Sequence, residues 1–354
     1  MATAPPEAPN TAGVPNFNVQ LNEDGGMQYM LQHGFPRGIA STIVKEAERC
    51  PMRFFILDDS GSMASLDGSR VVQSGSKFVT VNCSRWEEMV DTVVFHEGLS
   101  KAMNAPCEFR FLNNLAPKRT GVAEVDPDDV NGRAVRKALD GSPSGLTPLC
   151  FHVTEVANEI AAQAHRLKEN GQHASVVIMC DGGASDGNVA QAMKPLAHLP
   201  CNVVVRLCTD QEDIVDYWNG VDRQLEVNLD ILDDPIGEAQ EIEANNHWLN
   251  YALPLHRMRE WGVHIRELDM IDEQLLSSNQ MTMLLSILLD CNKRDIPQVA
   301  VDWSEFVAFV KPRLESAGNA FNPVTRRNEP WVNLSPSIEV LPQCGLLHSS
   351  VRQF

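Results

Sequence analysis

The stretch Arg53-Phe-Phe-Ile-Leu-Asp-Asp-Ser-Gly-Ser-Met63 decides the fold of this chain. Its apolar run, residues 54–57, stops at Asp58 and passes into a loop of small hydroxyl residues. A buried strand of a parallel sheet has this pattern where it delivers polar groups to the edge of the sheet. In the spacing Asp58-x-Ser60-x-Ser62, one carboxylate and two hydroxyls can point the same way and converge on one small cation.

The side chains of Asp58, Ser60 and Ser62 all offer hard oxygen atoms, which suit Mg²⁺ or Mn²⁺ better than zinc or copper. An Asp or Ser directly after a strand is also a common helix N-cap. The five-residue motif taken alone therefore leaves both interpretations open.

The same pattern recurs along the chain. Apolar runs at 175–180, 203–208, 225–232 and 263–268 also end at or next to an aspartate, and predicted helices lie around them at 86–104, 149–169, 189–198, 213–224, 246–261 and 272–289. This alternation predicts an α/β fold, a doubly wound and mostly parallel sheet with helices on both faces. The C-terminal ends of such strands form one rim, where ligands bind. In residues 108–112, phenylalanine alternates with charged residues, which predicts an edge or half-exposed strand.

Composition narrows the classes of function. The chain has 29 Lys and Arg against 47 Asp and Glu, a net charge of −18, which argues against a nucleic-acid partner. The sequence of its first residues predicts no signal peptide, and no apolar stretch is expected to be long enough to span a membrane. Its nine cysteines include no Cys-x-x-Cys pair. We therefore expect a reducing, intracellular setting, the cytoplasm.

The organisation of the chain follows from these patterns. Residues 1–20 are rich in Pro, Ala and Asn and predict a disordered tail, and 21–50 predict a helical prelude. Residues 51–290 form the α/β domain. The C-terminal extension, 291–354, includes an amphipathic segment at 303–314 and is expected to pack back on the domain, with a docking segment for a partner as the alternative.

Two later motifs complete an ordered set with the first. Thr147 follows a glycine-rich turn before the helix at 149–169, where it could also be the N-cap, and Asp181 begins an Asp-Gly-Gly loop after the second buried strand. Together with Asp58-x-Ser60-x-Ser62, this order resembles the von Willebrand factor type A (VWA) domain over residues 51–290. The resemblance implies a Rossmann-like fold with a metal-ion-dependent adhesion site. In that family the serines and the threonine contact a divalent ion directly or through water, and the aspartates mostly hold metal-bound waters.

The resemblance implies a function as well. The expected metal set is Asp58, Ser60, Ser62, Thr147 and Asp181, holding Mg²⁺ or Mn²⁺, and the expected partner is a protein that presents an Asp or Glu to the ion. Intracellular members of the family typically act as scaffolds. The chain departs from the pattern in two ways: the gap between Asp58 and Thr147 indicates an insertion, within 64–84 or 114–135, and Asp59 and Asp186 add negative charge near the site.

Two other functions compete with this expectation. A structural or self-assembling protein could carry a vestigial site, or could bind an acidic residue from a neighbouring copy through it. A Mg²⁺-dependent phosphatase similar to haloacid dehalogenases would need a second aspartate two residues after Asp58, where this chain has Ser60. We therefore expect a binding protein rather than an enzyme, with no catalytic residues.

Overall fold

A computed structural model describes residues 20–74, 77–121, 133–209, 211–225, 229–299 and 301–334. The tail predicted for 1–20 therefore lies outside the described residues, except for Gln20. The strands in these ranges are β1 Met52–Leu57, β2 Gly68–Ser74, β3 Lys77–Cys83, β4 Cys107–Phe111, β5 Asn114–Thr120, β6 Ala174–Cys180, β7 Cys201–Leu207, β8 Leu229–Leu232, β9 Asn319–Asn322 and β10 Arg327–Pro330.

The α-helices of the same ranges begin with a pair that precedes β1. In chain order they are α1 Glu23–Gln32, α2 Arg37–Arg49, α3 Arg85–Met103, α4 Ala134–Leu139, α5 Leu149–Glu169, α6 Val189–Met193, α7 Glu212–Asp222, α8 Pro235–Asn246, α9 Leu253–Glu260, α10 Arg266–Asp269, α11 Ser278–Leu288 and α12 Trp303–Ala317.

Six strands form the central sheet, in the order β5-β4-β1-β6-β7-β8. Every neighbouring pair is parallel except β4 and β5, which are antiparallel. The prediction of an α/β fold with a mostly parallel sheet is confirmed, and the architecture is consistent with a Rossmann-like fold. After β1, the chain adds β4 and then β5 on one side of β1. It then returns to the other side of β1, where β6, β7 and β8 follow one another outward. The direction in which strands are added therefore reverses between β1 and β6.

The two faces of the sheet bury separate hydrophobic cores. Along β1, Phe55 and Leu57 enter one core, and Phe54 and Ile56 enter the other. The first core is covered by α1, α2, α3, α9, α11 and α12, and the second by α5, α6 and α7. A strand with both faces covered is apolar without interruption, as β1 and β6 are.

The prediction of a strand at 263–268 is wrong. The sheet ends at β8 in the described part of the chain, and α10 occupies Arg266–Asp269. Val263 and Leu268 are both buried, on the helical side of the first core. A short apolar run does not distinguish a strand from a buried helical turn, because both bury every apolar residue.

The edge position predicted for 108–112 is also wrong. All five residues of β4 are buried, and the strand lies between β1 and β5. The charged residues in this segment are paired rather than solvated, because Arg110 Nε donates to Glu108 Oε1 at 2.5 Å and Arg119 Nε to Glu108 Oε2 at 2.7 Å. The edge strand on this side of the sheet is β5, in a segment where no strand was predicted.

The helix predicted at 246–261 is only partly helical, because α8 ends at Asn246 and α9 begins at Leu253. Residues 248–250 instead run beside the segment after β10: Asn250 N donates to Trp331 O at 2.9 Å, and Asn333 N donates to Trp248 O at 2.8 Å. Trp331 is 1% exposed and belongs to the first core. The described part of the C-terminal extension therefore contributes to that core.

An insertion of two strands follows the loop after β1. Residues predicted only as a polar passage, 64–76, include all of β2, which pairs antiparallel with β3. The hairpin packs against α3, where Ser69 N donates to Glu88 Oε2 at 2.8 Å. It begins directly after Asp67, close to the rim that carries the predicted site.

Candidate functional site

The loops after β1 and β6 flank the point at which the strand order reverses. In open α/β sheets this switch point, outside the carboxyl ends of the strands, is where ligands bind. Asp58 follows β1 and Asp181 follows β6, and these two strands are direct neighbours in the sheet. Two of the predicted residues therefore start from adjacent positions at the switch point.

Asp58 is buried, and only one of its carboxylate oxygens is paired. The side chain is held at 1% exposure, and Oδ1 accepts a hydrogen bond from Ser60 N at 2.8 Å. In the described part of the chain, the buried Oδ2 has no hydrogen-bond partner. Burial raises the pKa of Asp58 to about 6, the bonds from Ser60 oppose that rise, and the charges of Asp181 and Asp59 add to it. A buried carboxylate oxygen without a partner is costly and calls for a cation or a proton.

A chain of short hydrogen bonds runs from the first loop to Asp181. Ser60 Oγ and Ser62 Oγ are 3.0 Å apart, and Ser62 Oγ donates to Asp181 Oδ1 at 2.9 Å. Ser60 is buried and Ser62 is exposed, so the hydrogen bond between them reaches from the protein interior to the surface. The structure thus brings together four of the five predicted residues.

Thr147 is next to this group but joined to it only through backbone. Its N–H donates to Ser185 Oγ at 3.0 Å, and Ser185 N donates back to the carbonyl of Thr147 at 2.8 Å. Two residues earlier, Gly145 O accepts from Gly61 N at 3.3 Å. Among the described residues, no hydrogen bond links the Thr147 hydroxyl to the other four side chains. The loop that carries Thr147 is therefore fixed, while its hydroxyl is left for another contact.

The two extra aspartates are occupied elsewhere. Asp59 Oδ1 accepts from the backbone and side-chain nitrogens of Asn113 at 2.8 and 2.9 Å. Asp186 accepts from the N–H groups of Cys150 and Phe151 at 3.0 and 2.9 Å, which caps the start of α5. Both carboxylates thus order the loops around the site, and the charge of Asp59 still acts on Asp58.

Arg85 is a residue of the site that the sequence analysis missed. Its Nη1 donates to Asp181 Oδ2 at 2.9 Å, and its Nε and Nη2 donate to the two oxygens of Asp67 at 2.7 and 2.5 Å. Nothing local indicates this contact, since Arg85 lies 96 residues from Asp181. The only signal in the sequence is a cation at the first position of a helix, where the helix dipole disfavours positive charge.

The donor set fits a hard divalent cation. It consists of oxygen atoms alone, the free Oδ2 of Asp58 supplies an unpaired charged ligand, and the serine hydroxyls supply neutral ones. Within the described ranges, no group of three or more His, Cys, Asp and Glu side chains is arranged to hold a metal. A site here would therefore depend on hydroxyls and water, with Asp58 and Asp181 as its carboxylates.

Comparisons with known proteins identify no family for this chain, so its class is defined by its fold. The strand order and the switch-point loops define an α/β protein with a Rossmann-like sheet. No protein-family model matches the chain, and no curated protein sequence matches it. Of the helices in the described residues, none combines the length and apolar character needed to cross a membrane, in agreement with the sequence prediction.

Proposed function

We propose that this protein is a VWA-type interaction module that binds a protein partner through a divalent cation at the switch point. The observation that carries the proposal is the unpaired, buried Oδ2 of Asp58 beside the hydrogen-bonded chain of Ser60, Ser62 and Asp181. Asp58 would hold the cation with the two serines, Asp181 would orient Ser62 and metal-bound water, and Thr147 would approach from its own loop. Bound Mg²⁺ or Mn²⁺ would supply an exchangeable coordination position for a partner's Asp or Glu.

A binding role suits this site better than a catalytic one. The hydroxyls of Ser60 and Ser62 are hydrogen-bonded to each other and to Asp181, whose carboxylate is already paired with Arg85. An activated serine would instead need a base that accepts a hydrogen bond from its hydroxyl, and Asp58 Oδ2 makes no hydrogen bond to either serine. The buried His152 is directed away, because its Nε2 lies 3.0 Å from the carbonyl of Leu112.

The cysteines bear on the compartment. The eight cysteines of the described residues are all free thiols. We propose that the protein works inside the cell, where thiols stay reduced. Self-assembly through the same cation, with an acidic residue of a second copy as the ligand, is the alternative use of the site.

The proposal is tested by titrating Mg²⁺ and Mn²⁺ into chelator-stripped protein by calorimetry. Asp58→Asn removes the unpaired charged ligand and is expected to abolish binding. The matched control is Glu169→Gln, the same change of charge at the exposed C-terminal end of α5, about 30 Å along the helix from Thr147. Equal binding by wild type and Asp58→Asn would overturn the proposal. Metal-dependent dimerisation in analytical ultracentrifugation would identify self-assembly.

A further inference from the structure

The guanidinium of Arg85 is buried between two carboxylates at the rim of the sheet. Its side chain is 7% exposed, that of Asp181 is 4% exposed, and that of Asp67 is 36% exposed. The contact with Asp67 uses two parallel N–H groups, whereas the contact with Asp181 uses one. Arg85 therefore connects a carboxylate of the candidate site with a carboxylate at the base of the β2–β3 hairpin.

The side chain of Arg85 is not needed to begin α3. Ser84 caps this helix through a capping box with Glu87, and the backbone N of Arg85 donates to Ser65 O at 3.0 Å. A cation in the first turn of a helix is disfavoured by the helix dipole. The reason for a cation at this position must therefore lie in what the guanidinium touches.

The guanidinium of Arg85 contacts Asp181 and therefore changes the net charge of the candidate site. Of the carboxylates around the switch point, Asp59 is paired with Asn113, Asp186 with the start of α5, and Asp181 with Arg85. Among these four carboxylates of the described residues, Asp58 is the one with a buried oxygen that has no partner. A divalent cation held by two unpaired carboxylates would be neutralised, and it would then attract no further acidic ligand.

We propose that Arg85 is the charge-balancing residue of this site: by pairing with Asp181, it leaves a bound divalent cation with net positive charge, so that the cation can accept a carboxylate from a partner. The inference rests on the proposed function, and it assigns to Arg85 a positioning role, with no direct contact to the ion. Asp67 moderates the effect, because it shares the guanidinium but is more exposed and therefore better screened.

The proposal predicts changes of opposite sign for two kinds of ligand. Removing the charge with Arg85→Gln makes the site more negative, which favours the cation and disfavours an added anion. We expect Mn²⁺ to bind roughly three- to tenfold more tightly, and acetate to bind the Mn²⁺-loaded protein more weakly by a similar factor. In Asp67→Asn, Asp181 is the one charged partner that remains for Arg85 among its two carboxylates. Mn²⁺ should then bind more weakly than to wild type, and acetate should bind the Mn²⁺-loaded protein more tightly.

Both quantities are measured on the full chain at pH 7.5 by the relaxation of water protons. Mn²⁺ binding raises the relaxation rate, and acetate lowers it again as it displaces metal-bound water. Arg85→Lys, which keeps the charge, should restore both affinities toward wild type. A general loss of structure would weaken both ligands together, so the opposite signs separate charge balance from damage to the fold.

The outcomes are distinct. If wild type binds Mn²⁺ and acetate but Arg85→Gln shifts both affinities in one direction or neither, the role of Arg85 is overturned and the metal site stands. If wild type binds no Mn²⁺, the proposed function and this inference are both overturned. If Arg85→Gln does not fold, Asp67→Asn decides, and a shift of its two affinities in the same direction contradicts the proposal.

Discussion

His96 Nε2 lies 3.2 Å from Glu260 Oε2, and neither side chain has any exposure to solvent. The imidazole ring stacks against Phe55 and Trp261, with centroids 5.3 and 5.6 Å away. The carboxylate of Glu260 also accepts from Arg257 Nη1 at 2.8 Å. Burial lowers the pKa of His96 to about 4, although the hydrogen bond and charge of Glu260 oppose that change. The histidine is therefore neutral at physiological pH, and its Nε2–H donates a hydrogen bond to Glu260.

This arrangement predicts how stability depends on pH. His96 has a pKa of 6.5 when unperturbed and about 4 in the folded chain, so between these values the unfolded chain binds the extra proton. The free energy of unfolding should therefore rise with pH from about 4 to 6.5 on account of this residue. In His96→Gln, the side chain no longer titrates, and this part of the rise should disappear. Urea unfolding of both proteins at pH 5 and pH 7 gives the difference, and equal pH dependence in the two would contradict the assignment.

The unpaired oxygen of Asp58 makes a separate prediction about stability. Its pKa is raised from 3.8 to about 6, so the folded chain holds the proton more tightly and the ionised form costs stability above this range. Without metal at pH 8, Asp58→Asn should therefore raise the free energy of unfolding, on the order of 2 kcal/mol. Asp59→Asn is the control and should lower it, because Asp59 accepts two hydrogen bonds from Asn113. Destabilisation by Asp58→Asn under these conditions would show that the carboxylate is satisfied.

Adding metal should reverse the order of stability of wild type and Asp58→Asn, so that wild type becomes the more stable of the two. A ligand that binds only the folded chain at 100 times its Kd stabilises it by about 2.7 kcal/mol. Saturating Mg²⁺ should therefore raise the melting temperature of wild type, and a chelator should remove the increase, while Asp58→Asn responds to neither. Differential scanning calorimetry with Mg²⁺ and with K⁺ at matched ionic strength provides the measurement. An equal response to both salts would mean that the rim is only screened.

Thr147 allows the hydroxyl and the loop to be separated. The loop is held by backbone bonds to Ser185, which Thr147→Ala leaves in place. If the hydroxyl approaches the cation, Thr147→Ala should weaken Mn²⁺ binding by about tenfold, the equivalent of one modest polar contact. Thr147→Ser should bind as wild type does. Unchanged affinity in Thr147→Ala would reduce the residue to a part of the loop.

Asp186 should matter for stability alone. Its carboxylate accepts from two N–H groups in the first turn of α5, a helix that has no side-chain cap of its own at Pro148. Asp186→Ala should lower the free energy of unfolding by about 1 kcal/mol, the usual effect of a lost cap. Its affinity for Mn²⁺ should change far less than that of Asp58→Asn. A large loss of affinity would place Asp186 among the groups that act on the cation.

Local sequence signals were sufficient for the centre of the fold. The apolar runs of β1 and β6 indicated their strands because both faces of these strands are covered, and the bounds predicted for α5 match those observed. The edge was less predictable. In β5, the sequence Asn-Leu-Ala-Pro-Lys-Arg-Thr has no continuous apolar run, and Arg119 lies opposite Glu108 of the preceding strand, to which it donates a hydrogen bond. Such a pair is visible only after the two strands are aligned.

The candidate site likewise combines residues that could be predicted from the sequence with contacts that could not. Asp58, Ser60 and Ser62 belong to one short loop, so their convergence could be expected from spacing, and Asp181 could be added from its equivalent position after β6. Arg85 could not, because its contact with Asp181 depends on where α3 begins relative to a neighbouring strand. The pairing of Asp59 and Asp186 was likewise set by other loops, and these contacts decide how much charge the site presents.

The pairing of residues 248–250 with residues 331–333 has a consequence for how the chain matures. The side chain of Trp331 is buried in the first core, and Asn250 N donates to the carbonyl of Trp331. During synthesis, the sheet can form once β8, which ends at Leu232, has emerged, but this core stays open until Trp331 is made, about 100 residues later. Contacts of such long range form late and slowly. A nascent chain that stalls in this interval would leave the apolar surface between α8 and α9 exposed to solvent.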